Sequence, residues 1–175
     1  KGKFMKIGIL GSGYIATKIA EAIRVLDEKG YGVKAYAIAS RSIEKAKQFA
    51  SDFHFEKAYG SYEELAQDKE VDLIYVATPH SEHYSNIKLC LKYGKNLLVE
   101  KAFTANLLQA SEVITSAREK GVFLCEAMWT RFLPGVQCLK EWLVSGKIGK
   151  IQTVEANFSI PISHVERLRN PSLAG

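Results

Sequence analysis

Gly11-Ser12-Gly13-Tyr14-Ile15-Ala16 directly follows the short apolar run 7–10 and opens a segment with helical periodicity. Gly11 permits a tight turn, Gly13 lets the main chain approach a ligand closely, and Ala16 keeps the helix near the sheet. Free N–H groups and the helix dipole at this turn attract phosphate. In strand–turn–helix order, the stretch predicts a dinucleotide site whose pyrophosphate lies on residues 11–16. A glycine turn without a ligand is the alternative.

Short apolar runs alternate with segments of helical periodicity along the first 125 residues. The runs are 7–10, 33–39, 71–77, 96–99 and 122–125, and their nearly continuous apolar character is typical of strands covered on both faces. Two helical stripes are predicted to pack on the sheet: Ile15, Ile19, Ala22, Ile23 and Leu26, then Leu107, Ala110, Val113, Ile114 and Ala117. The alternation predicts an α/β fold, a doubly wound parallel sheet of the Rossmann type.

Local signals mark several helix ends. Ser61 with Glu64 is typical of a capping box that starts a short helix. Gly94 and Gly121 stand where helices are predicted to end, each before a strand. Pro134 predicts the start of a further helix, which Gly146 and Gly149 close.

The pattern changes after Cys125. From residue 153 to residue 160 apolar and polar side chains alternate strictly, which predicts a strand with one packed face. Such a strand needs neighbouring strands, and the following residues hardly supply them. We therefore expect a Rossmann domain over residues 1–125 and the start of a truncated α+β second domain over residues 126–175.

The composition is ordinary for a globular chain, with 47% hydrophobic and 25% charged residues among 175. No stretch reaches the roughly 18 apolar residues of a membrane span, and no secretory signal pattern opens the chain. Cys90, Cys125 and Cys138 are widely spaced, which argues against a disulfide framework or zinc site and favours a reducing cytoplasm. The net charge of +5 is spread among acidic residues, so neither nucleic acid nor a membrane is the expected partner.

The residues after run 33–39 bear on the choice of cofactor. An NAD site usually places Asp or Glu there for the ribose 2′-hydroxyl, whereas NADP needs positive charge beside its 2′-phosphate. The sequence has Ser40 and Arg41 and no acid, and both offer donors that suit phosphate. We therefore predict NADP, with NAD as the second choice. In the alternative interpretation, Arg41 is a solvated residue before a helix that Ser42 caps.

Thr78 and Pro79 follow run 71–77 at the carboxyl edge of the predicted sheet, where ligands of doubly wound folds bind. Thr78 is a candidate hydrogen-bond partner of the cofactor, and Pro79 stiffens the loop. His80 and His83 lack a third ligand nearby, so no metal site is predicted. His83 is a candidate cofactor contact or, equally, a partner of local main-chain groups.

Glu100 and Lys101 follow run 96–99 at the same edge. Lys101 is the candidate catalytic residue, and a further cofactor contact, because an ammonium can hold a substrate oxygen and relay a proton. Glu100 could orient that ammonium or contact the nicotinamide ribose, and a surface salt bridge between the two is the alternative. Trp129 and Arg131 could stack on and bind the dinucleotide, or they pack between domains.

In this order and spacing the motifs resemble the glucose–fructose oxidoreductase, inositol dehydrogenase and rhizopine-catabolism family (Gfo/Idh/MocA). Segment 125–134 is most similar to the branch with dihydrodiol and sugar dehydrogenases. The resemblance implies dehydrogenase activity and supports Lys101, Trp129 and Arg131 as site residues. It also implies a second domain, a large mixed sheet that lines the substrate pocket and often mediates dimers or tetramers.

Two features depart from the family pattern. Ala102 stands where the family has the proline of Glu-Lys-Pro, which leaves the lysine in place but makes its loop less constrained. The family's second catalytic motif lies beyond a glycine pair, and the sequence ends at Ala174-Gly175, so we expect that motif outside it. His164 lies upstream of that point and is not a candidate base.

Together, these observations predict an NADP-dependent oxidoreductase that acts on a hydroxyl or carbonyl of a sugar, polyol or dihydrodiol. We expect a homo-oligomer at full length and an inactive protein from these 175 residues alone. The alternative is an NADP-binding regulatory module, or one that has lost its redox chemistry, in which Lys101 has no catalytic part.

Overall fold

A computed structural model describes residues 4–159, together with residues 161 and 170. Within them the strands are β1 Met5–Leu10, β2 Val33–Ala39, β3 Lys57–Tyr59, β4 Leu73–Val76, β5 Asn96–Val99 and β6 Leu124–Glu126. The α-helices are α1 Tyr14–Glu28, α2 Ile43–Phe53, α3 Tyr62–Gln67, α4 His83–Lys92, α5 Leu107–Glu119 and α6 Pro134–Val144. Short 3₁₀ helices at His80–Glu82 and Trp129–Phe132 precede α4 and α6. No helix in this described part is long and apolar enough to cross a membrane.

The six strands form one parallel sheet in the order β3-β2-β1-β4-β5-β6. The chain begins in the middle at β1, builds outward to β3, then crosses to β4 and continues to β6. This order confirms the predicted doubly wound Rossmann sheet. Because the direction of winding reverses between β1 and β4, a crevice opens at the carboxyl ends of those two strands.

Two apolar clusters cover the two faces of the sheet. One contains buried residues of α3, α4 and α5, and the other contains buried residues of α1 and α2. Successive residues of a strand point to opposite faces, so β4 supplies Ile74 and Val76 to the first cluster and Tyr75 to the second. Burial on both faces explains why the runs predicted as strands are apolar at nearly every position.

The local signals for helix starts are confirmed. The Ser61 hydroxyl accepts a hydrogen bond from the Glu64 amide at 3.2 Å, and the Glu64 carboxylate accepts one from the Ser61 amide at 3.1 Å. The Ser42 hydroxyl accepts from the Lys45 amide at 3.3 Å and caps α2. Pro134 is the first residue of α6. Helices α4 and α5 end just before two glycines with positive φ, Gly94 and Gly121.

Strand β3 is missing from the sequence prediction. Its three residues are only half-buried and include no apolar run. They become a strand because Lys57, Ala58 and Tyr59 pair with the last three residues of β2. The partner strand, rather than the local sequence, therefore determines this element. Runs 71–77 and 122–125 also differ from the observed strands, which begin two residues later at Leu73 and Leu124.

The predicted helical stripes are partly wrong. In α1 the buried residues are Ala16, Ala20 and Ile23, whereas Leu26 is 38% exposed. In α5 the buried residues are Val113 and Ala117, whereas Leu107 and Ile114 lie at the surface and Ala110 is half-buried. Periodicity determines which residues share a helix face. Which face is buried depends on where the sheet and the neighbouring helices contact the helix. Small side chains bring α1 close to the sheet.

The predicted strand 153–160 is wrong for its described residues. Residues 151–159 have no regular secondary structure, and Ile160 lies outside the described residues. Val154 is 80% exposed and Phe158 is 82% exposed. A strand requires hydrogen-bonding neighbours, and none pairs with this stretch in the described part of the chain.

Val113→Ala and Leu107→Ala test the observed orientation of α5. Val113 is fully buried, so its truncation should lower the free energy of unfolding by about 2 kcal/mol. Leu107 is 79% exposed, so its truncation should change that free energy by less than about 0.5 kcal/mol. Urea unfolding of the two variants measures the difference, and equal losses would contradict this orientation.

Candidate functional site

The loops after five strands lie side by side at the carboxyl edge of the sheet. The first amide of each of these loops donates a hydrogen bond to the last carbonyl oxygen of an adjacent strand, at 2.7–3.2 Å. Adjacent strands are about 4.8 Å apart, so the loop after β5 lies about 10 Å from the glycine loop after β1. In sheet order the loops begin at Ser40, Gly11, Ala77, Glu100 and Ala127.

The glycine loop has one position that requires glycine and one that leaves space. Gly11 has a φ of +96°, and a Cβ there would lie 2.9 Å from the Ala77 carbonyl oxygen. Gly13 is the N-cap of α1, makes no side-chain capping bond, and would place a Cβ within 4 Å of nothing. The first-turn amides of α1 are therefore uncapped beside open space, and the turn contains no acidic residue.

The remaining residues of the glycine loop divide into packed and exposed positions. Ala16 is fully buried, as its predicted role in helix–sheet packing requires. Ile15 is half-buried against the apolar cluster of α1 and α2. Tyr14 is 76% exposed. Ala16 can therefore contribute only main-chain groups to a ligand, whereas Tyr14 can also offer its side chain.

The corner after β2 joins the glycine loop through serine hydroxyls. Ser40 is buried, and its hydroxyl oxygen accepts a hydrogen bond from the Ser12 hydroxyl at 3.2 Å. Arg41 is exposed, and its guanidinium makes no salt bridge with any described residue. Burial raises the pKa of the Tyr62 phenol, and the nearby Arg41 charge opposes this shift. The corner after β2 thus presents one positive side chain, Arg41, beside the glycine loop that is predicted to bind the pyrophosphate.

The loop after β4 is held by the first turn of α4. Thr78 is buried, and its hydroxyl oxygen accepts a hydrogen bond from the Asn86 amide at 3.0 Å. His83 is fully buried, with Nδ1 at 2.8 Å from the Ala102 carbonyl oxygen and Nε2 at 3.0 Å from that of Thr78. The prediction that His83 contacts the cofactor directly is therefore corrected, because the ring is buried and main-chain oxygens lie at both of its nitrogens. The alternative, interaction with main-chain groups, is what the structure contains. Pro79 is exposed.

Glu100 is directed into the protein rather than towards Lys101. One carboxylate oxygen accepts a hydrogen bond from the Tyr75 hydroxyl, and the other accepts one from the Lys101 amide at 3.0 Å. Burial and this hydrogen bond raise the pKa of the Tyr75 phenol above its ordinary value, so Tyr75 remains a donor. Among the described residues Glu100 forms no salt bridge with Lys101, which corrects its predicted role of orienting the ammonium. Lys101 is exposed and precedes a cis peptide bond to Ala102.

A concavity lies beyond the loop after β6, away from the glycine loop. Its volume is about 880 Å³, and it is open to solvent. Glu126 links it to the Lys101 loop, because its carboxylate accepts a hydrogen bond from the Phe103 amide at 3.0 Å. Arg131 lines the concavity, and Trp129 nearby is 54% exposed. The lining residues are Cys125, Glu126, Met128, Arg131, Phe132, Gln137 and Lys140.

The described residues contain no group of three or more His, Cys, Asp or Glu side chains that could hold a metal ion. The His80 and His83 rings lie edge to face, with centroids 5.5 Å apart. Main-chain oxygens already occupy both nitrogens of His83. This pair therefore has the geometry of packed rings rather than of two metal ligands.

Sequence reasoning missed three residues of this edge. Tyr75 lies within the apolar run 71–77, and the sequence gives no specific role to Ser12 or Asn86. A buried tyrosine needs a partner for its hydroxyl, so Tyr75 did carry a signal. The sequence did not indicate that this partner would be Glu100, because the two residues are 25 positions apart.

Strand order β3-β2-β1-β4-β5-β6, with an uncapped glycine turn at its switch point, defines a Rossmann domain of the dinucleotide-binding class. The chain belongs to the oxidoreductase family with an NAD-binding Rossmann fold, Gfo/Idh/MocA, whose model matches residues 5–127. The family resemblance drawn from the motifs is thus confirmed.

Relatives of known identity cover nearly the whole chain. It is 39% identical to trans-1,2-dihydrobenzene-1,2-diol dehydrogenase of Mus musculus over 171 residues, 98% of this chain and 51% of that protein. Identity to the Xenopus tropicalis protein of that name is 40% over 170 residues, 97% of this chain and 51% of that protein. The chain therefore spans about half the length of these relatives.

A solved structure with a similar fold is KijD10, a 3-ketoreductase from Actinomadura kijaniata, in complex with NADP and TDP-benzene. The TM-score is 0.75 and the sequence identity is 31%. The similarity covers 85% of this chain and 45% of that one.

Gly11→Ala and Gly13→Ala should separate folding from binding. Gly11→Ala combines an unfavourable positive φ with a main-chain clash, so it should destabilise the fold by at least about 1–3 kcal/mol. Gly13→Ala should cost less than about 1 kcal/mol. It places a methyl group where phosphate would approach, so dinucleotide affinity should fall on the order of tenfold. Thermal unfolding and fluorescence titration with NADPH measure the two effects, and unchanged binding by Gly13→Ala would contradict the site.

Proposed function

We propose that this chain is the cofactor-binding part of an NADP-dependent oxidoreductase acting on a hydroxyl or carbonyl carbon of a small sugar, polyol or dihydrodiol. In this proposal residues 1–125 form the Rossmann domain, and residues 126–175 begin the substrate domain. One observation carries the proposal: uncapped main-chain amides at the switch point share an edge with the exposed Lys101. The first feature suits a diphosphate, and the second suits a reacting oxygen.

The glycine loop supplies the diphosphate site. The amides of the first turn of α1 point out of the helix N-terminus, where the dipole favours negative charge. Gly13 leaves room for close approach of the main chain, and Gly11 turns the chain without blocking the crevice. Thr78 borders the same crevice from β4, since the Ala77–Thr78 peptide lies within 3.4 Å of the position of a Cβ on Gly11.

The corner after β2 supports NADP over NAD. Arg41 is exposed and without a salt-bridge partner among the described residues, so its guanidinium is available to a 2′-phosphate. The first acidic residue after β2 is Glu44, whose carboxylate accepts a hydrogen bond from the Ser42 hydroxyl at 2.7 Å. That contact engages the carboxylate locally instead of leaving it free for a ribose 2′-hydroxyl. The related 3-ketoreductase KijD10 was solved with NADP.

Lys101 is proposed to act at the reacting oxygen. A bound nicotinamide supplies or accepts the hydride. The Lys101 ammonium hydrogen-bonds the substrate oxygen and stabilises the negative charge that develops there. In reduction the ammonium then gives a proton to that oxygen, whereas in oxidation the neutral Lys101 amine receives the hydroxyl proton and becomes the ammonium. Arg131 and Trp129, beside the large concavity, are proposed to border the substrate or cofactor on the side of β6.

The substrate class follows from the relatives named as dihydrodiol dehydrogenases. A vicinal diol offers one hydroxyl to Lys101 and a second to other donors of the pocket. The homo-oligomeric state, the cytoplasmic location and the inactivity of this chain alone stay predictions. The second candidate function is an NADP-binding regulatory or redox-inactive module, which the glycine loop and Arg41 would serve equally well.

Arg41→Ala tests the cofactor preference. Loss of a charged hydrogen-bond donor should weaken NADP binding by about tenfold to a hundredfold, while NAD binding changes little. Lys47→Ala, which removes an equal charge from the exposed side of α2, serves as the control. Isothermal titration with both cofactors measures the effect. Similar affinities of the parent chain for NAD and NADP would contradict the preference.

Lys101→Ala tests the catalytic proposal in the complete protein. Turnover of a trans-dihydrodiol should fall by about 10²- to 10⁴-fold, the range for a positioned acid–base group. NADP affinity should change much less. The matched control is Lys69→Ala, because Lys69 is an exposed lysine in the loop before β4, at the amino ends of the strands. Absorbance of NADPH follows the reaction, and cofactor binding by the parent without turnover of any diol or sugar would favour the regulatory module.

A further inference from the structure

His83 joins two loops that the sequence places far apart. Its ring is fully buried, and its nitrogens lie 2.8 Å from the Ala102 carbonyl oxygen and 3.0 Å from the Thr78 carbonyl oxygen. Thr78 belongs to the loop after β4, whereas Ala102 directly follows Lys101 in the loop after β5. A single rigid ring therefore spans the gap between the cofactor-side loop and the loop of the proposed catalytic lysine.

The main chain around Lys101 is restrained from two sides. On one side, the Lys101 amide donates to the Glu100 carboxylate, which also receives the Tyr75 hydroxyl. On the other side, His83 meets the Ala102 carbonyl oxygen. These contacts fix the main-chain atoms before and after Lys101, while its side chain remains exposed. The loop is thereby held without involving the ammonium.

The helix turn that carries His83 is itself held in place by hydrogen bonds. His83 is the first residue of α4, and Asn86 in the same turn donates to the Thr78 hydroxyl at 3.0 Å. Thus the first turn of α4 contacts the loop after β4 at two atoms, the Thr78 hydroxyl and the Thr78 carbonyl oxygen. From the same turn, His83 also contacts the loop after β5. A carbonyl oxygen only accepts hydrogen bonds, so the Ala102 contact requires a proton on Nδ1 and the Thr78 contact requires one on Nε2. The ring makes both hydrogen bonds together only when both of its nitrogens carry a proton.

We propose that His83 is a positioning residue for Lys101. It sets the distance between the Lys101 main chain and the loop that borders the cofactor crevice. The inference rests on the proposed function, in which Lys101 acts on the reacting oxygen. Small displacements of such a group lower the catalytic rate strongly, since misplacement by about 1 Å can reduce the rate about a hundredfold.

Two substitutions in the complete protein separate the two contacts of the ring. The side-chain nitrogen of His83→Asn lies about where Nδ1 was, so it can still donate to the Ala102 carbonyl oxygen. That of His83→Gln reaches about as far as Nε2, so it can serve only Thr78. We expect His83→Gln to lower kcat by about tenfold to a hundredfold with little change in the KM for NADP. His83→Asn should retain most of the parent kcat.

The comparison of the two variants decides the proposal. Equal losses of kcat in both variants, or parent kcat in His83→Gln, would overturn it. In a Lys101→Met background, His83→Gln should cause no additional loss of the residual turnover, because the residue through which it acts is absent. A further loss by the same factor would also overturn the proposal. Parent turnover in Lys101→Met alone would instead overturn the proposed function, and with it this role.

A spectroscopic measurement does not depend on how the variants fold. In the parent protein labelled with ¹⁵N-histidine, the Nδ1 of His83 should carry a proton that exchanges slowly with solvent, because the ring is buried. The signal is assigned by its absence from the spectrum of His83→Asn, or by contacts to Ala102 if that variant does not fold. An Nδ1 without a proton would rule out the hydrogen bond to Ala102 and overturn the proposal.

Discussion

The site depends on a close main-chain approach at the switch point of the sheet. Gly11 turns with positive φ against the Ala77 carbonyl oxygen, where a Cβ would lie only 2.9 Å away. This contact brings the loops after β1 and β4 together, and it lets α1 start with uncapped amides beside the crevice. Because a helix N-terminus attracts anions only where they can reach it, both the turn and the open space at Gly13 are required.

Buried polar side chains are concentrated at the same edge. Of the buried polar residues in the described part, all but Lys95 stand at the carboxyl ends of strands or in the first turn of α4: Ser40, Thr78, His83, Asn86 and Glu100. Each has a hydrogen-bond partner, most often in a neighbouring loop. A buried polar group that lacks a partner is costly, so these bonds hold the loops in one arrangement. They preorganise the edge while Arg41 and Lys101 remain exposed.

The loop of Lys101 illustrates how such bonds replace a missing constraint. The family resemblance expects proline after the lysine, and this chain has Ala102. Here the loop is restrained instead by the Glu100 carboxylate on one side and by the His83 ring on the other. Beyond it, Glu126 connects the loop to the concavity of about 880 Å³ that Arg131 lines. Hydrogen bonds thus connect neighbouring loops along this edge, from the corner after β2 to the loop after β6.

The sequence alone determined the order of strands and helices, the capping box at Ser61 and the loops that carry Arg41 and Lys101, because these depend on neighbouring residues. It did not determine β3, the buried side of α5 or the absence of a strand in residues 151–159, because those depend on which surfaces lie opposite. The contact of His83 with Ala102 spans 19 positions, and that of Tyr75 with Glu100 spans 25. Only the folded sheet brings such pairs together, and so only the tertiary structure decided that His83 and Glu100 support the site from inside.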